Sequence, residues 1–131
     1  MDSSYYREQI IDLYENPMNY GELDPADFSY EEDNPLCGDV VRIDVRLDDE
    51  QRVAEANWSG DGCAISQASA SLLTEEIKGM TLAEIRAFPK ETLLELIGIP
   101  LSMARVKCAL LSLKVMKAGA YGLPDPGAMR Q

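Results

Sequence analysis

Residues 40–48, VVRIDVRLD, carry the pattern that most restricts how this chain can fold. Apolar side chains at the odd positions 41 to 47 alternate with charged side chains at the even positions 42 to 48. Because successive side chains of a strand point to opposite faces of a sheet, this alternation predicts a β-strand with one buried side. After the polar turn DDEQ, residues 52–58 predict a second strand. We therefore expect an antiparallel hairpin with one face covered by other elements.

Helical patterns precede and follow this hairpin. The spacing of apolar residues predicts a first helix over residues 5–15 and a second that begins at residue 63 or 64 and closes at Gly79. The capping box TLAE begins a short helix, KETLLELIG forms another, and a long helix follows Pro100. We expect this last helix to end before Gly119 and to bury a stripe made of Val106, Leu110, Leu113 and either Met116 or Lys117.

The order of these elements predicts the fold class. Residues 25–33 offer a third strand between the first helix and the hairpin. One helix, then strands, then a run of helices is typical of the α+β class. We expect a small three-stranded antiparallel sheet that is covered by helices on one face.

Size and charge exclude several classes of function. The 131 residues are expected to form one domain over 1–131, with a loose tail over about 121–131. A net charge of −11 argues against binding to nucleic acids or membranes, because such binding depends on Lys and Arg. No apolar run approaches the roughly 20 residues of a membrane helix, and no secretory pattern is visible. These features predict a cytoplasmic protein.

The chain has three cysteines and no histidine, so any metal must be held by sulfur and oxygen. Cys37 lies in the turn NPLCGD, two positions before Asp39; Cys63 lies in a turn beside two glycines; Cys108 lies near the start of the last helix. The hairpin register places Cys37 and Cys63 at the same end of the sheet. At a helix N-terminus, the Cys63 thiolate would be favoured by the helix dipole.

Each of these residues also has a purely structural interpretation. A free cysteine is among the most buried residue types, and Cys108 could serve the core. Asp39 is an ordinary turn residue. Together, however, three thiolates and one carboxylate form a complete tetrahedral ligand set for zinc or an iron–sulfur cluster, although no Cys-x-x-Cys pair is present. Arg105 and Lys107 beside Cys108 would offset the negative charge of that set.

Four stretches carry a resemblance to a known family. IIDLYENPMNYGELD, NPLCGD, GDGCAISQASASLLTEEIKG and ARVKCALLSLKVM resemble the iron–sulfur scaffold family that includes IscU, the N-terminal part of NifU, and SufU. The resemblance implies a SufE/NifU-like fold and a single NifU-N-like domain. It also implies that Cys37, Asp39, Cys63 and Cys108 bind zinc, iron or a transient cluster of the 2Fe–2S type, with Asp39 as the ligand that completes or loosens the site.

The same resemblance implies partners and a reaction. Family members accept sulfane sulfur, as a persulfide on one of the three cysteines, from a cysteine desulfurase that uses pyridoxal phosphate. A thiolate attacks the donor persulfide. Clusters then pass to apo iron–sulfur proteins or carriers. Such a protein is a scaffold or sulfur acceptor rather than a classical enzyme, and the sequence leaves open which cysteine receives sulfur.

Two branches of the family remain open. Lys107 stands where IscU-type scaffolds carry histidine, which favours the SufU branch, a zinc-dependent sulfurtransferase that stimulates a desulfurase. The 45 positions from Cys63 to Cys108 are too few for the extra segment usual in that branch. IPLSMARVK replaces the Leu-Pro-Pro-Val-Lys sequence that a dedicated chaperone reads in IscU-type scaffolds. A structural zinc module or interaction domain with inert sulfurs is the third alternative.

Overall fold

The computed structural model describes residues 3–34 and 38–122. In chain order its elements are α1 (Ser3–Glu15), β1 (Phe28–Asn34), β2 (Asp39–Leu47), β3 (Val53–Asp61), α2 (Ala64–Glu76), α3 (Leu82–Arg86), α4 (Lys90–Ile97) and α5 (Met103–Gly122). All three predicted strands and all five predicted helices are present.

The three strands form one antiparallel sheet in the order β1-β2-β3. Three of the four apolar odd positions of β2 are buried as the alternation predicts, since Val41, Ile43 and Val45 have almost no exposed surface, whereas Leu47 is half-buried. Directly opposite on β3 lie the buried Trp58 and Ala56. Helices α2 and α5 pack on this face. The expected α+β fold, with a three-stranded antiparallel sheet covered by helices, is confirmed.

The opposite face of the sheet is less open than predicted. Asp44, expected to face solvent, is fully buried. The connection between α1 and β1 crosses this face: Leu23 N donates to Asp44 Oδ2 at 3.0 Å, and Pro25 O accepts from Arg46 Nε at 3.0 Å. Alternation identifies the two faces of a strand but does not show which segments later cover them.

The predicted stripe on α5 was only partly right. Val106 and Leu110 are half-buried, whereas Cys108 and Ala109 are buried. The reason is that α5 contacts the sheet, α2, α3 and α4, so it buries more than one face. A single-stripe pattern describes a helix with one packed side.

The end of α5 also differs from the prediction. The helix passes Gly119 and continues through Gly122, so it includes the first two residues of the predicted tail, and residues 123–131 lie outside the described ranges. A Cβ at Gly119 would lie 2.5 Å from Phe28 Cδ1. Gly119 therefore permits close packing of the helix on β1 and does not end the helix.

The shorter helices begin and end as their sequence signals predict. Thr81 and Glu84 form a reciprocal capping box at α3, and Gly98, in the left-handed conformation, ends α4. Gly79 has φ of +87° just after α2. Within the described ranges, no helix combines the length and apolarity that crossing a bilayer requires.

Candidate metal and sulfur site

The hairpin register brings the start of β2 beside the start of α2. Val40 pairs with Asp61, so Asp39, the first residue of β2, lies next to the two residues that link β3 to α2. Because β3 leads directly into α2, the N-cap residue Cys63 is held at the end of the sheet where β2 begins. The predicted meeting of these segments is thus present for Asp39 and Cys63.

Asp39 is buried and directed at Cys63. Its side chain is on the covered face of the sheet and only 1% exposed. Asp39 Oδ1 accepts a hydrogen bond from Cys63 N at 3.1 Å, and Oδ2 lies 4.0 Å from Cys63 Sγ. Cys63 itself makes no side-chain cap. The carboxylate therefore satisfies one of the unpaired N–H groups at the start of α2, where the helix dipole favours negative charge.

Two glycines make this close approach possible. Gly60 has φ of +132°, and a Cβ there would lie 2.0 Å from Val40 O. A Cβ at Gly62 would lie 2.8 Å from Asp39 Oδ1 and 3.0 Å from its Cγ. Side chains at either position would separate the segments that carry Asp39 and Cys63.

Helix α5 supplies the third group. Cys108 is 1% exposed, and one ligand atom each from Asp39, Cys63 and Cys108 lie within 4.8 Å of one another. Pairing between α2 and α5 fixes their relative position: Ser69 Oγ donates to Ala109 O, the residue after Cys108, and lies 3.0 Å from Ser112 Oγ. Three segments distant in sequence therefore meet at one point.

Arg105 lies beside both sulfurs. Electrostatic attraction to Cys63, followed by a hydrogen bond to Cys63 and attraction to Cys108, raises the pKa of Arg105. Its backbone N–H donates to Ser102 Oγ at 3.3 Å, at the start of α5. Lys107 is exposed on the same turn of the helix. The basic residue that faces the sulfurs is thus Arg105.

Cys37, the remaining predicted ligand, lies outside the described residues. It precedes Asp39 by two positions, so the chain leads from Cys37 into the site. Its participation stays a prediction.

The chemistry of the described donor set fits a metal ion or cluster. Two thiolates and a carboxylate are ligands that zinc accepts, and thiolates are the usual ligands of iron–sulfur clusters. Tetrahedral zinc needs ligand atoms about 3.5–3.8 Å apart, given its bond lengths of about 2.0–2.3 Å. The present spacing, within 4.8 Å, is close to that requirement.

Two features of the site were not predicted from the sequence. Asp39 acts as a cap for α2, although it lies 24 positions from Cys63. Ser66, three positions after Cys63, is buried with an unpaired hydroxyl. The sequence signal for this cap was the pair Gly60 and Gly62. Glycines permit another segment to approach the backbone closely, but they do not identify which segment does so. A serine within an Ala- and Ser-rich helix gives no comparable signal.

Comparisons with known proteins concern the family of this chain. Residues 5–125 match the family described as NifU-like N terminal domain. The chain is 35% identical over 116 residues to the iron–sulfur cluster assembly scaffold protein IscU of Haemophilus influenzae, covering 86% of this chain and 90% of that protein. It is 34% identical over 131 residues to the zinc-dependent sulfurtransferase SufU of Bacillus subtilis, covering 87% and 88%.

A solved structure supports the fold. The N-terminal part of a NifU-like protein from Brucella abortus superposes with a TM-score of 0.71 at 22% identity, covering 88% of this chain and 92% of that one. At this identity the likeness concerns the fold alone. The family match over residues 5–125, the two relatives and the shared fold lead to one conclusion: this chain belongs to the family of NifU-like N-terminal domains, the iron–sulfur scaffold family.

Proposed function

We propose that this protein assembles iron–sulfur clusters, accepting persulfide sulfur from a cysteine desulfurase and binding metal or a nascent cluster through Cys37, Asp39, Cys63 and Cys108. One observation carries the proposal: Asp39, Cys63 and Cys108 place a carboxylate oxygen and two sulfurs within 4.8 Å of one another. Cys37 is the expected third sulfur. The IscU relative, named as a cluster assembly scaffold, supports the same function.

Sulfur transfer requires a thiolate that a donor can reach. Cys63 is half-buried and Cys108 is buried, so of these two an incoming persulfide reaches Cys63 more readily. The thiolate attacks the outer sulfur of the donor persulfide. One S–S bond forms as the other breaks, the electron pair stays on the donor cysteine, and the acceptor becomes a persulfide without net oxidation.

Arg105 and Asp39 have different roles in this scheme. Arg105 lies beside both sulfurs and carries the positive charge that would offset the negative charge of the ligand set. Asp39 offers an oxygen ligand, which is held less firmly than sulfur by a borderline-soft metal. When Asp39 releases its position, sulfur can enter or a finished cluster can leave. Cys37, Asp39, Cys63 and Cys108 would hold a bound ion or cluster, and that ion would supply a coordination position for the incoming sulfur.

The proposed partners follow from this chemistry. The sulfur donor is a cysteine desulfurase that uses pyridoxal phosphate, and the recipients are apo iron–sulfur proteins or carriers. A cluster of the 2Fe–2S type is the proposed cargo. Thiols that form no disulfide persist in a reducing compartment, so we place the protein in the cytoplasm.

Anaerobic reconstitution tests the proposal. Protein mixed with ferrous iron, cysteine and a partner desulfurase is expected to develop cluster absorption in the visible range. Replacing Cys37, Cys63 and Cys108 together with Ser should abolish it. Asp61→Asn, which changes an exposed acidic residue at the end of β3, is the matched control and should behave as wild type. Undiminished cluster formation in the triple Ser variant would refute the proposal.

A zinc-dependent sulfurtransferase is the second candidate, and the SufU relative together with Lys107 favours it. In this case the protein would stimulate a desulfurase without building clusters. Elemental analysis of freshly purified protein, with measurement of desulfurase turnover, separates the two. Tight zinc that is required for stimulation, with no productive replacement by iron, would select this candidate.

Lys107 gives a further distinction. The side chain is exposed, so Lys107→Ala should leave the unfolding midpoint nearly unchanged. We expect it to slow sulfur transfer more than it affects folding, with Lys114→Ala as the exposed control on the same helix. If Lys107→Ala reduced the rate of sulfur transfer and the unfolding midpoint in the same proportion, this role would be contradicted.

A further inference from the structure

Ser66, in the first turn of α2, has a buried hydroxyl without a hydrogen-bond partner. The residue is 1% exposed, and within residues 3–34 and 38–122 its Oγ bonds to nothing. A helical serine commonly bonds back to the carbonyl three or four positions earlier. Here Cys63 O accepts from Gln67 N at 3.0 Å, and Gly62 O accepts from Gln67 Nε2 at 2.8 Å. Each of these carbonyls accepts from another donor, and Ser66 Oγ bonds to neither.

The contacts of its neighbours show where Ser66 faces. Three positions earlier, Cys63 lies with its ligand atom within 4.8 Å of that of Cys108. Three positions later, Ser69 bonds to Ala109 O and lies 3.0 Å from Ser112 Oγ. Residues spaced by three follow one ridge of a helix, so Ser66 lies on the ridge of α2 that faces α5. Ser66 therefore lies between the two residues of α2 that meet α5 at Cys108 and at Ala109.

The other buried hydroxyls of this region all have protein partners. Ser69 and Ser112 pair with each other, Ser71 Oγ accepts from Trp58 Nε1 at 3.2 Å, and Thr74 Oγ1 donates to Ala70 O at 2.7 Å. Among the buried Ser and Thr residues of the described ranges, only Ser66 lacks one. It is also the buried hydroxyl of α2 nearest to Cys63. An unpaired donor at this position is unfavourable unless a partner arrives with the occupied site.

We propose that Ser66 is a positioning residue that donates its hydroxyl hydrogen to the sulfur of Cys108 when the site holds a metal ion or cluster. This inference rests on the proposed function, because the acceptor is a sulfur ligand of that site. A hydrogen bond to a ligand sulfur lowers its electron density and fixes its orientation. Ser66 would thereby slow the loss of metal without contacting the metal itself.

Cobalt(II) binding to the full chain tests the inference, with wild type, Ser66→Ala, Ser66→Thr and the control Ser112→Ala. Bound cobalt reports on its sulfur ligands through charge-transfer absorption. In Ser66→Ala we expect this band to move to lower energy and the loss of cobalt to a chelator to accelerate about tenfold. Ser66→Thr, which keeps the hydroxyl, should restore both. The Ser112→Ala band should match wild type.

Thermal unfolding of the metal-free proteins supplies the second readout. Removing an unpaired buried hydroxyl should leave the Tm of Ser66→Ala equal to or above that of wild type, whereas Ser112→Ala should lower it because its partner Ser69 is left with fewer bonds. An unchanged band and unchanged cobalt loss in Ser66→Ala would overturn the inference. So would a fall in its metal-free Tm as large as that of Ser112→Ala. Absence of any sulfur-to-cobalt band in wild type would instead refute the proposed function itself, and the inference with it.

Discussion

Two aspartates on the same strand, Asp39 and Asp44, are both buried but have opposite surroundings. Asp44 accepts hydrogen bonds from Arg42 Nε at 2.9 Å and Leu23 N at 3.0 Å, and this contact raises the pKa of Arg42. Asp39, on the opposite face, accepts one backbone N–H and lies beside two sulfurs. Burial of a carboxylate therefore does not identify a functional site. The two aspartates differ in the groups that contact the carboxylate, which are an arginine and a backbone N–H for Asp44 but a backbone N–H and two sulfurs for Asp39.

The largest expected effect on folding belongs to Asp44. Asp44→Ala leaves the Arg42 side chain and the Leu23 N–H without their shared acceptor, so we expect it to lower the free energy of unfolding by about 2–3 kcal/mol. Asp39→Ala removes one helix cap and should lower it by about 1 kcal/mol. Urea unfolding of the metal-free proteins measures both. Equal losses would remove the distinction between the two carboxylates.

When the site holds a cluster, the larger effect is expected from Asp39 and not from Asp44. Because Asp39 is the weaker oxygen ligand that allows exchange, Asp39→Ala should lengthen the lifetime of a reconstituted cluster, by about tenfold. The decay of visible absorption in the presence of a chelator measures this lifetime. Asp61→Ala, at an exposed position, should decay like wild type. A shorter lifetime in Asp39→Ala would show that the carboxylate holds the cluster instead of loosening it.

Position 62 tests how closely Asp39 must approach α2. In Gly62→Ala the new Cβ would meet the Asp39 carboxylate at 2.8 Å, so the carboxylate must move. We expect zinc affinity to fall about tenfold, as observed for changes around metal ligands. A competition titration with a zinc chelator provides the measurement. Gly122→Ala is the control because nothing lies within 4 Å of its added Cβ. Equal affinities of the two variants would show that Asp39 can shift without loss.

Arg105 should have the smallest effect, since it is exposed. Arg105→Gln is expected to slow alkylation of Cys63 by about two- to threefold, and the difference should shrink at high salt. Alkylation rates followed by mass spectrometry test this.

The pH dependence of Arg105 follows from its raised pKa. A basic group whose pKa is raised in the folded state is fully charged below its ordinary pKa, and it loses that charge only when the pH rises through the raised pKa. Arg105 therefore stays charged from pH 5 to 9, and loss of metal in acid must come from protonation of the ligands.

Much of the fold could be predicted because its signals are local. Alternation in residues 40–48 specified the central strand, and the capping box at Thr81 specified the start of α3. The hairpin register then followed from the position of the turn, and it predicted that Cys37 and Cys63 lie at the same end of the sheet. In the structure, Asp39, two positions after Cys37, lies at that end beside Cys63. These signals depend on neighbours in sequence, which a single chain displays directly.

The remaining features depend on segments distant in sequence. Asp44 is buried by the connection before β1, and its position in an alternating strand predicted exposure. Cys108 was offset from the expected stripe on α5, yet it is buried because α5 packs on several elements. The partner of Ser66 is not encoded in local sequence at all. Tertiary contacts determine these outcomes, and periodicity does not describe them.

X-ray absorption at the zinc K-edge tests the central claim most directly, because it counts the atoms that bind the metal. For zinc-loaded protein the account predicts three sulfur neighbours at about 2.3 Å and one oxygen neighbour at about 2.0–2.2 Å. The oxygen neighbour is Asp39, and two of the sulfurs are Cys63 and Cys108. A zinc shell made only of oxygen and nitrogen would contradict the account.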